Sequence, residues 1–268
     1  MVKRTLIAIP AIVVLVSVVY FHGMYARIAI ALLAVLCVYE MTAALGAGDA
    51  RPIRPIAYAF AALIVPAYVF AGGALGVSAL FVMSVIAVGI VMVLLGRSAA
   101  DGAVTALALV YPGVLLCVLT AIVCIAPKET SQFLLLIVFG AAAVTDTFAY
   151  FCGMLLGRHK LAPAISPKKT VEGAIGGAVF GTAATILLGI FAGPLFGMDV
   201  PVYAYAVLGI TLSVLSQFGD LTASVIKRKC GVKDYGRIMG AHGGAMDRLD
   251  SVLFISPVVL AFYYLFVL

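Results

Sequence analysis

Residues Gly76–Gly96 read GVSALFVMSVIAVGIVMVLLG, a run of 21 residues without a charged side chain. A run of this length can cross a lipid bilayer as one α-helix, because about 20 apolar residues in a helix span a hydrocarbon core about 30 Å thick. The stretch therefore predicts an integral membrane protein, and the remaining sequence extends this prediction.

The composition of the whole chain leads to the same class. Of the 268 residues, 65% are hydrophobic and 10% are charged, and the mean hydropathy is +1.24. A soluble domain is about half apolar and about a quarter charged, so almost none of this chain can form one. The net charge of +6 suits an anionic lipid surface or an anionic substrate, and charge alone does not separate the two.

Nine apolar segments predict an all-α, polytopic membrane protein with about nine transmembrane helices. In chain order they are Thr5–Tyr20, Ala26–Leu45, Ile56–Ala71, Gly76–Gly96, Ala103–Ala126, Gln132–Leu156, Val171–Ile190, Val202–Ser224 and Ser251–Leu268.

The distribution of Lys and Arg favours this topology. With nine spans, fifteen of the 17 cations fall on one side of the membrane, and only Arg27 and Lys128 fall on the other. Because cytoplasmic loops carry the excess of positive charge, the N-terminus is predicted to be cytoplasmic. Ten of the fifteen lie in loops 157–170 and 227–248. We interpret residues 1–268 as one membrane domain, with scaffold helices in 1–130 and the catalytic half in 131–268.

Acidic residues inside apolar segments are functional candidates, because a carboxylate in lipid is costly. Glu40 lies near the end of the second segment and is interpreted as a helix-end residue that reaches the interface. Asp146 lies deeper in its segment and should face protein or water. On a helix it shares a face with Tyr150, Gly153 and Gly157, and the two glycines allow another helix to approach closely.

A second motif, Ser166–Gly173, reads SPKKTVEG. Pro167 disfavours a continuous helix here, and Thr170 is a candidate N-cap for a helix that follows. A helix N-terminus with flanking lysines attracts anions. The lysines are explained equally well by the excess of Lys and Arg in cytoplasmic loops, which sets the orientation of a membrane protein.

The third motif begins with Asp220, Ser224, Lys227 and Arg228, whose spacing places them on one helix face. It continues with Lys233-Asp234, His242-Gly243-Gly244 and Asp247-Arg248-Leu249-Asp250. Mg²⁺ binds carboxylates together with substrate phosphates, cations neutralise phosphate, and glycines let backbone N–H groups approach it. A basic loop on lipid headgroups would explain only the cations. No Cys or second His is placed to share a zinc ion with His242.

The stretch Ser224–Asp250 closely resembles the signature of phosphatidate cytidylyltransferases, also called CDP-diacylglycerol synthases. The residues that match in register are Ser224, Lys227, Arg228, Lys233, Asp234, Gly236, His242, Gly243, Gly244, Asp247, Arg248 and Asp250. Upstream, Asp146 with Ala149-Tyr150 and Gly153, the Ser166–Gly173 motif and Gly219-Asp220 fit the same family, so the resemblance covers about residues 146–256.

The resemblance implies transfer of a cytidylyl group from CTP to phosphatidic acid with Mg²⁺, giving CDP-diacylglycerol and pyrophosphate. It implies Asp220 and Asp247 as metal ligands, with Asp146 and Asp250 as supporting ligands. Asp220, Asp247, Lys227 and Arg248 are the predicted catalytic residues. The predicted substrate-binding residues are Ser166, Lys168, Lys169, Thr170, Glu172, Ser224, Arg228, Lys233, Asp234, His242, Gly243 and Gly244. Whether Lys168 and Lys169 bind the lipid phosphate or the triphosphate stays open.

Three other functions share features with this sequence. An ion-coupled transporter would also carry intramembrane carboxylates, but near the bilayer midplane and in both halves. A CDP-alcohol phosphotransferase motif starts at Asp101-Gly102 and then fails. A cytidylyltransferase for another lipid phosphate fits the same headgroup chemistry. The expected partners are CTP, phosphatidic acid and membrane lipids, without nucleic acid, and a homodimer is left open. The expected location is the inner (cytoplasmic) membrane, multi-pass, with the active site facing the cytoplasm.

Overall fold

The computed structural model describes residues 16–236, 238 and 243–268, which are mainly helical. Residues 16–21 are helical, and the further elements follow in chain order. They are α1 (Gly23–Leu45), α2 (Arg54–Phe70), α3 (Ala74–Leu94), α4 (Ala99–Ala108), α5 (Leu115–Val123), α6 (Lys128–Leu156), β1 (Lys160–Ala162), β2 (Ser166–Thr170), α7 (Val171–Leu187), α8 (Val202–Lys229) and α9 (Met246–Phe266).

Irregular helical turns lengthen two of these elements. A π-helical turn, Leu109–Val114, joins α4 to α5, and Tyr111 within it has non-helical backbone angles because Pro112 follows. Helix α7 continues through a π-helical turn and a 3₁₀ turn to Phe196. Each of the two combined helices is therefore long enough to cross a bilayer.

Seven helices in the described part of the chain are long and apolar enough to cross a membrane. They are α1, α3, α4 joined to α5, α6, α7 with its extension, α8 and α9. The prediction of a multi-pass helical membrane protein is thereby confirmed. Helix α2 has 17 residues and is shorter than these spans, and most of the first predicted segment, Thr5–Tyr20, lies outside the described residues.

The all-α prediction requires one correction, because β1 and β2 form an antiparallel hairpin. Lys160 pairs with Thr170, and Ala162 pairs with Ser166. The connection predicted as a loop over residues 157–170 therefore contains a two-stranded hairpin. Pairing the two strands satisfies their backbone N–H and C=O groups, and Pro167 is tolerated because both strands of a two-stranded ribbon are edges.

Two helices extend beyond their predicted ends. Helix α8 continues to Lys229, past the predicted end at Ser224, and α9 begins at Met246, before the predicted start at Ser251. Hydropathy marks only the apolar part of each helix. The polar extensions are favourable because cations interact well with a helix C-terminus and a carboxylate such as Asp247 with an N-terminus.

The chain divides into two compact units. Unit 1 comprises the described residues of 16–124 and of 227–249, and unit 2 comprises 125–226 and 250–268. In unit 1, α2 packs against α1 and α3, and Met41, Phe60 and Ile64 are fully buried. Each unit carries one cluster of the predicted site residues.

In unit 2 the most extensive packing is between α6 and α7. A Cβ atom on Gly177 would lie 2.8 Å from the carbonyl oxygen of Thr145. Near the hairpin, a Cβ atom on Gly153 would lie 2.9 Å from Oγ1 of Thr170, and one on Gly173 would lie 3.0 Å from Cα of Gly153. The close helix approach predicted from the glycine spacing is therefore confirmed.

Candidate active site

In unit 1, the carboxylate of Asp247 is the centre of a buried polar cluster. Its side chain, in the first turn of α9, is only 5% exposed. Oδ1 accepts a hydrogen bond from Nζ of Lys227 at 2.7 Å. Oδ2 accepts hydrogen bonds from the backbone N–H groups of Tyr235 and Gly244, at 2.8 and 2.9 Å. One carboxylate thus ties the end of α8, the loop after it and the start of α9 together.

Lys227 is buried beside this carboxylate. Its side chain is 10% exposed, and its ammonium lies 5.4 Å from the centre of the Tyr235 ring, which is within cation–π range. A buried charge requires a partner, and Asp247 is that partner. The two residues were predicted to be catalytic from separate parts of one motif, and the structure brings them into direct contact.

The other cations of this motif are exposed. Arg228, Lys233 and Arg248 lie at the surface of unit 1, as does Asp234. Nη1 of Arg228 is 3.5 Å from the carbonyl oxygen of Val232, at the limit of a hydrogen bond. Exposed cationic side chains are accessible to a polyanion in the surrounding water.

The backbone conformation of Gly243 directs the next N–H group of the loop toward Asp247. The φ of Gly243, +79°, lies in the left-handed region that L side chains rarely adopt. The adjacent N–H of Gly244 is thereby directed to Asp247, and both glycines are buried. His242, which was predicted to bind substrate, lies outside the described residues.

The interpretation of Glu40 given by the sequence is wrong. The residue was taken as a helix-end side chain that reaches the interface, but it is 1% exposed. Its Oε2 accepts a hydrogen bond from the backbone N–H of Met246 at 2.9 Å. The correct explanation is burial against the motif that follows α8. The available signal was a carboxylate inside an apolar segment, which is costly without a partner.

In unit 2, Asp220 is the centre of a second cluster. Its Oδ2 lies 2.6 Å from Nζ of Lys169, which projects from β2. Its Oδ1 accepts a longer hydrogen bond from Oγ of Ser224 at 3.4 Å, as the helical spacing predicted. The side chains of Lys169 and Asp220 are 25% and 33% exposed. This cluster is therefore more accessible than the one around Asp247.

The hairpin that carries Lys169 is held by the start of α7. Oγ1 of Thr170 accepts a hydrogen bond from the N–H of Gly173 at 3.1 Å, which confirms the predicted N-cap. Glu172 accepts a hydrogen bond from the N–H of Arg158 at 3.0 Å and contacts Nδ1 of His159 at 2.6 Å. Glu172 was predicted to bind substrate, and in the structure its carboxylate closes the base of the hairpin.

The remaining predicted residues of unit 2 lie at different depths. Ser166 is half-buried and Lys168 is exposed, both on β2. Asp146 is exposed on α6. Asp250 is 7% exposed, and its Oδ1 accepts the N–H of Ser251 at 2.7 Å.

In each unit, taken by itself, one carboxylate can share a magnesium ion with a phosphate ligand. Among residues 16–236, 238 and 243–268, no group of three or more Asp, Glu, His or Cys side chains is arranged to hold a metal. Mg²⁺ is commonly held by one or two carboxylates, with substrate phosphates and waters completing its shell. Asp220 and Asp247 are carboxylates of this kind, each now paired with one lysine.

Comparison with known proteins identifies the family. The sequence model described as the Cytidylyltransferase family matches residues 2–266. A match over nearly the whole chain, together with a polytopic helical fold and two clusters of carboxylates with lysines, defines the class. The chain belongs to the cytidylyltransferase family.

Individual relatives are similar over a shorter stretch. A protein of Staphylococcus saprophyticus named phosphatidate cytidylyltransferase is 42% identical over 125 residues, which is 47% of this chain and 46% of the relative. A protein with the same name from Staphylococcus haemolyticus is 40% identical over 134 residues, which is 50% of this chain and 50% of the relative. One from Staphylococcus aureus is 43% identical over 118 residues, which is 43% of this chain and 43% of the relative. The chain thus spans about half the length of the curated relatives it matches.

Proposed function

We propose that this protein transfers the cytidylyl group of CTP to phosphatidic acid, giving CDP-diacylglycerol and pyrophosphate for phospholipid synthesis. The observation that carries the proposal is the Asp247–Lys227 pair, which holds together the segment that resembles the family signature. The family membership and the names of the relatives support the same reaction.

The proposed chemistry is an in-line displacement at the α-phosphorus of CTP. An oxygen of the lipid phosphate forms a new bond to the α-phosphorus. The bond between the α-phosphorus and the oxygen that bridges it to the β-phosphate breaks, so that pyrophosphate leaves. A phosphate monoester is largely dianionic at pH 7 because its second pKa is about 6. No general base is therefore assigned.

The side chains of this protein would act by positioning and by neutralising charge. Lys227, Arg228, Lys233 and Arg248 would hold phosphates of CTP or the leaving pyrophosphate, with the Lys227 ammonium turning from Asp247 to the substrate. On the hairpin, Lys168 and Lys169 would hold a phosphate. That phosphate would belong either to the lipid or to the nucleotide.

The proposed magnesium ligands are Asp247 in unit 1 and Asp220 in unit 2, with Asp146 and Asp250 of unit 2 as supporting ligands. When bound, magnesium would supply positive charge to the transferring phosphoryl group. The donor set described above supports this assignment, because each principal ligand is a single carboxylate beside an ammonium group.

The topology proposed is nine spans with a cytoplasmic N-terminus, in the cytoplasmic membrane and with the active site facing the cytoplasm. The Lys and Arg distribution supports this orientation. Helix α2, which is apolar and has 17 residues, would supply one of the two spans beyond the seven that meet the length criterion. Membrane lipids would surround the protein, and its proposed assembly, a homodimer, would be measured by its mass in detergent.

The test uses protein purified in detergent and CTP labelled at its α-phosphate. We expect label to enter the lipid phase only with Mg²⁺ and phosphatidic acid, and to be lost in Asp247→Asn. Asp49→Asn, at an exposed position of unit 1, is the matched control and should retain transfer.

Each alternative outcome has a defined meaning. Label that enters a polyprenyl phosphate but not phosphatidic acid would move the substrate to another lipid class. Folded protein that labels no lipid phosphate would overturn the cytidylyltransferase proposal and make a transport assay the next step. Transfer that survives in Asp247→Asn would retain the enzyme and remove the metal role of that residue.

A further inference from the structure

The buried carboxylate of Glu40 lies outside every motif assigned to the reaction. It is on α1, 1% exposed, and 206 residues before the Met246 N–H that it binds at 2.9 Å. Its second oxygen, Oε1, is buried and has no hydrogen-bond partner among the described residues. Burying a carboxylate in this way is costly, so its contacts with the motif call for an explanation.

Two glycines of the signature segment make room for this carboxylate. A Cβ atom on Gly236 would collide with Oε1 of Glu40, and a Cβ atom on Gly244 would collide with Oε2. Neither glycine has the positive φ that would itself exclude a side chain. Their lack of a side chain is therefore explained by the space that Glu40 occupies.

Glu40 and Asp247 bind alternate N–H groups of one short stretch of backbone. Gly244 donates its N–H to Asp247, while Met246, two residues later, donates its N–H to Glu40. The segment that leads into α9 is consequently held by two carboxylates. Without the Glu40 contact, the backbone from Gly244 to Met246 would lose one of these two supports, and the position of Asp247 would change with it.

We propose that Glu40 is a positioning residue, which sets the backbone around Gly244 and thereby orients Asp247 and the N–H groups of the signature segment. The proposal rests on the proposed function for its catalytic consequence. It assigns to Glu40 no contact with substrate. Its role requires a hydrogen-bond acceptor of this size at position 40, which glutamine also supplies.

The contact itself is tested without any assay of activity, by a double-mutant cycle in thermal unfolding. Gly244→Ala should lower the unfolding temperature of the detergent-solubilised protein by roughly 2–12 °C, because it overfills the site. In a Glu40→Ala background the same substitution should cost less than half as much, because the colliding carboxylate is gone. Gly48→Ala, where nothing lies within 4 Å of the added atom, is the control and should change little.

The catalytic consequence is tested by kinetics per folded molecule. Glu40→Ala should lower kcat by about 10–100-fold, since displacement of a catalytic group by about 1 Å has an effect of this size. The KM for phosphatidic acid should stay within about threefold, since Glu40 does not touch the lipid. Glu40→Gln should recover kcat to within about threefold of the wild type, because its amide oxygen accepts the Met246 N–H.

The outcomes separate the claims. Additive unfolding shifts in the cycle, or a Glu40→Ala protein with unchanged kcat per folded molecule, would overturn the proposal. If Glu40→Ala does not fold, Glu40→Asp, which is shorter by one methylene, takes its place in both experiments. A folded wild-type protein that transfers no label would overturn the proposed function and the catalytic consequence, whereas the unfolding cycle would still support or refute the contact.

Discussion

Substituting Lys227 by Met should destabilise unit 1, because it leaves the 5%-exposed Asp247 carboxylate without its counter-charge. Removing one partner of a buried ion pair costs about 3–5 kcal/mol. Asp247 would keep its two backbone donors, from Tyr235 and Gly244, so we expect the lower end, about 3 kcal/mol. This loss lowers the folding equilibrium constant by about two orders of magnitude.

The measurement is reversible unfolding in mixed micelles, followed by circular dichroism, for the wild type, Lys227→Met, Asp247→Asn and the double variant. Because Asp247→Asn removes the charge that requires Lys227, the double variant should lose less than the sum of the single losses, by about 2 kcal/mol. Lys229→Met, at an exposed position on the same helix, should change stability by no more than about 0.5 kcal/mol. A coupling below about 0.5 kcal/mol would refute the reasoning, since an exposed ion pair contributes that much.

Three further predictions concern packing, the second cluster and the metal. Gly177→Ala places a methyl group 2.8 Å from a backbone oxygen of α6 and should lower the free energy of unfolding by about 1–3 kcal/mol, measured by thermal unfolding. Gly89→Ala, where the added atom lies in open space, is the control and should leave stability unchanged or raise it. Lys169→Met removes the lysine partner of Asp220. Because that pair is partly exposed, the stability should fall by less than about 1 kcal/mol, whereas the rate of cytidylyl transfer should fall at least about tenfold. A larger loss of stability would contradict this prediction. Chelation of Mg²⁺ should abolish transfer and leave the unfolding temperature unchanged, and a fall in that temperature would instead indicate a resident structural metal.

Much of the fold could be predicted because lipid imposes a simple rule on sequence. A segment that crosses hydrocarbon must be helical and apolar, so uninterrupted runs such as Gly76–Gly96 located helices to within a few residues. The same rule fails where a helix leaves the lipid. Helix α8 continues through three cations, and α9 starts one residue before Asp247, because a helix needs hydrogen bonds and not an apolar surface.

The candidate site was predictable only where its contacts are local. Helical spacing predicted that Asp220 and Ser224 share one helix face, on which they are in contact, and the threonine before the apolar run predicted the Thr170 cap. The Lys227–Asp247 pair joins residues of one motif, although nothing in the spacing showed that they touch. The Glu40 contact joins residues far apart in the chain, and a single sequence carries no signal for such a pairing.

The separation of Glu40 from Met246 has a consequence for synthesis at the ribosome. At about 5–20 residues per second, 206 residues take roughly 10–40 s to make. During that interval α1 already exists, while the backbone that will bind its carboxylate has not yet been translated. A nascent chain arrested before Met246 would therefore lack the backbone N–H that binds the Glu40 carboxylate in the folded protein.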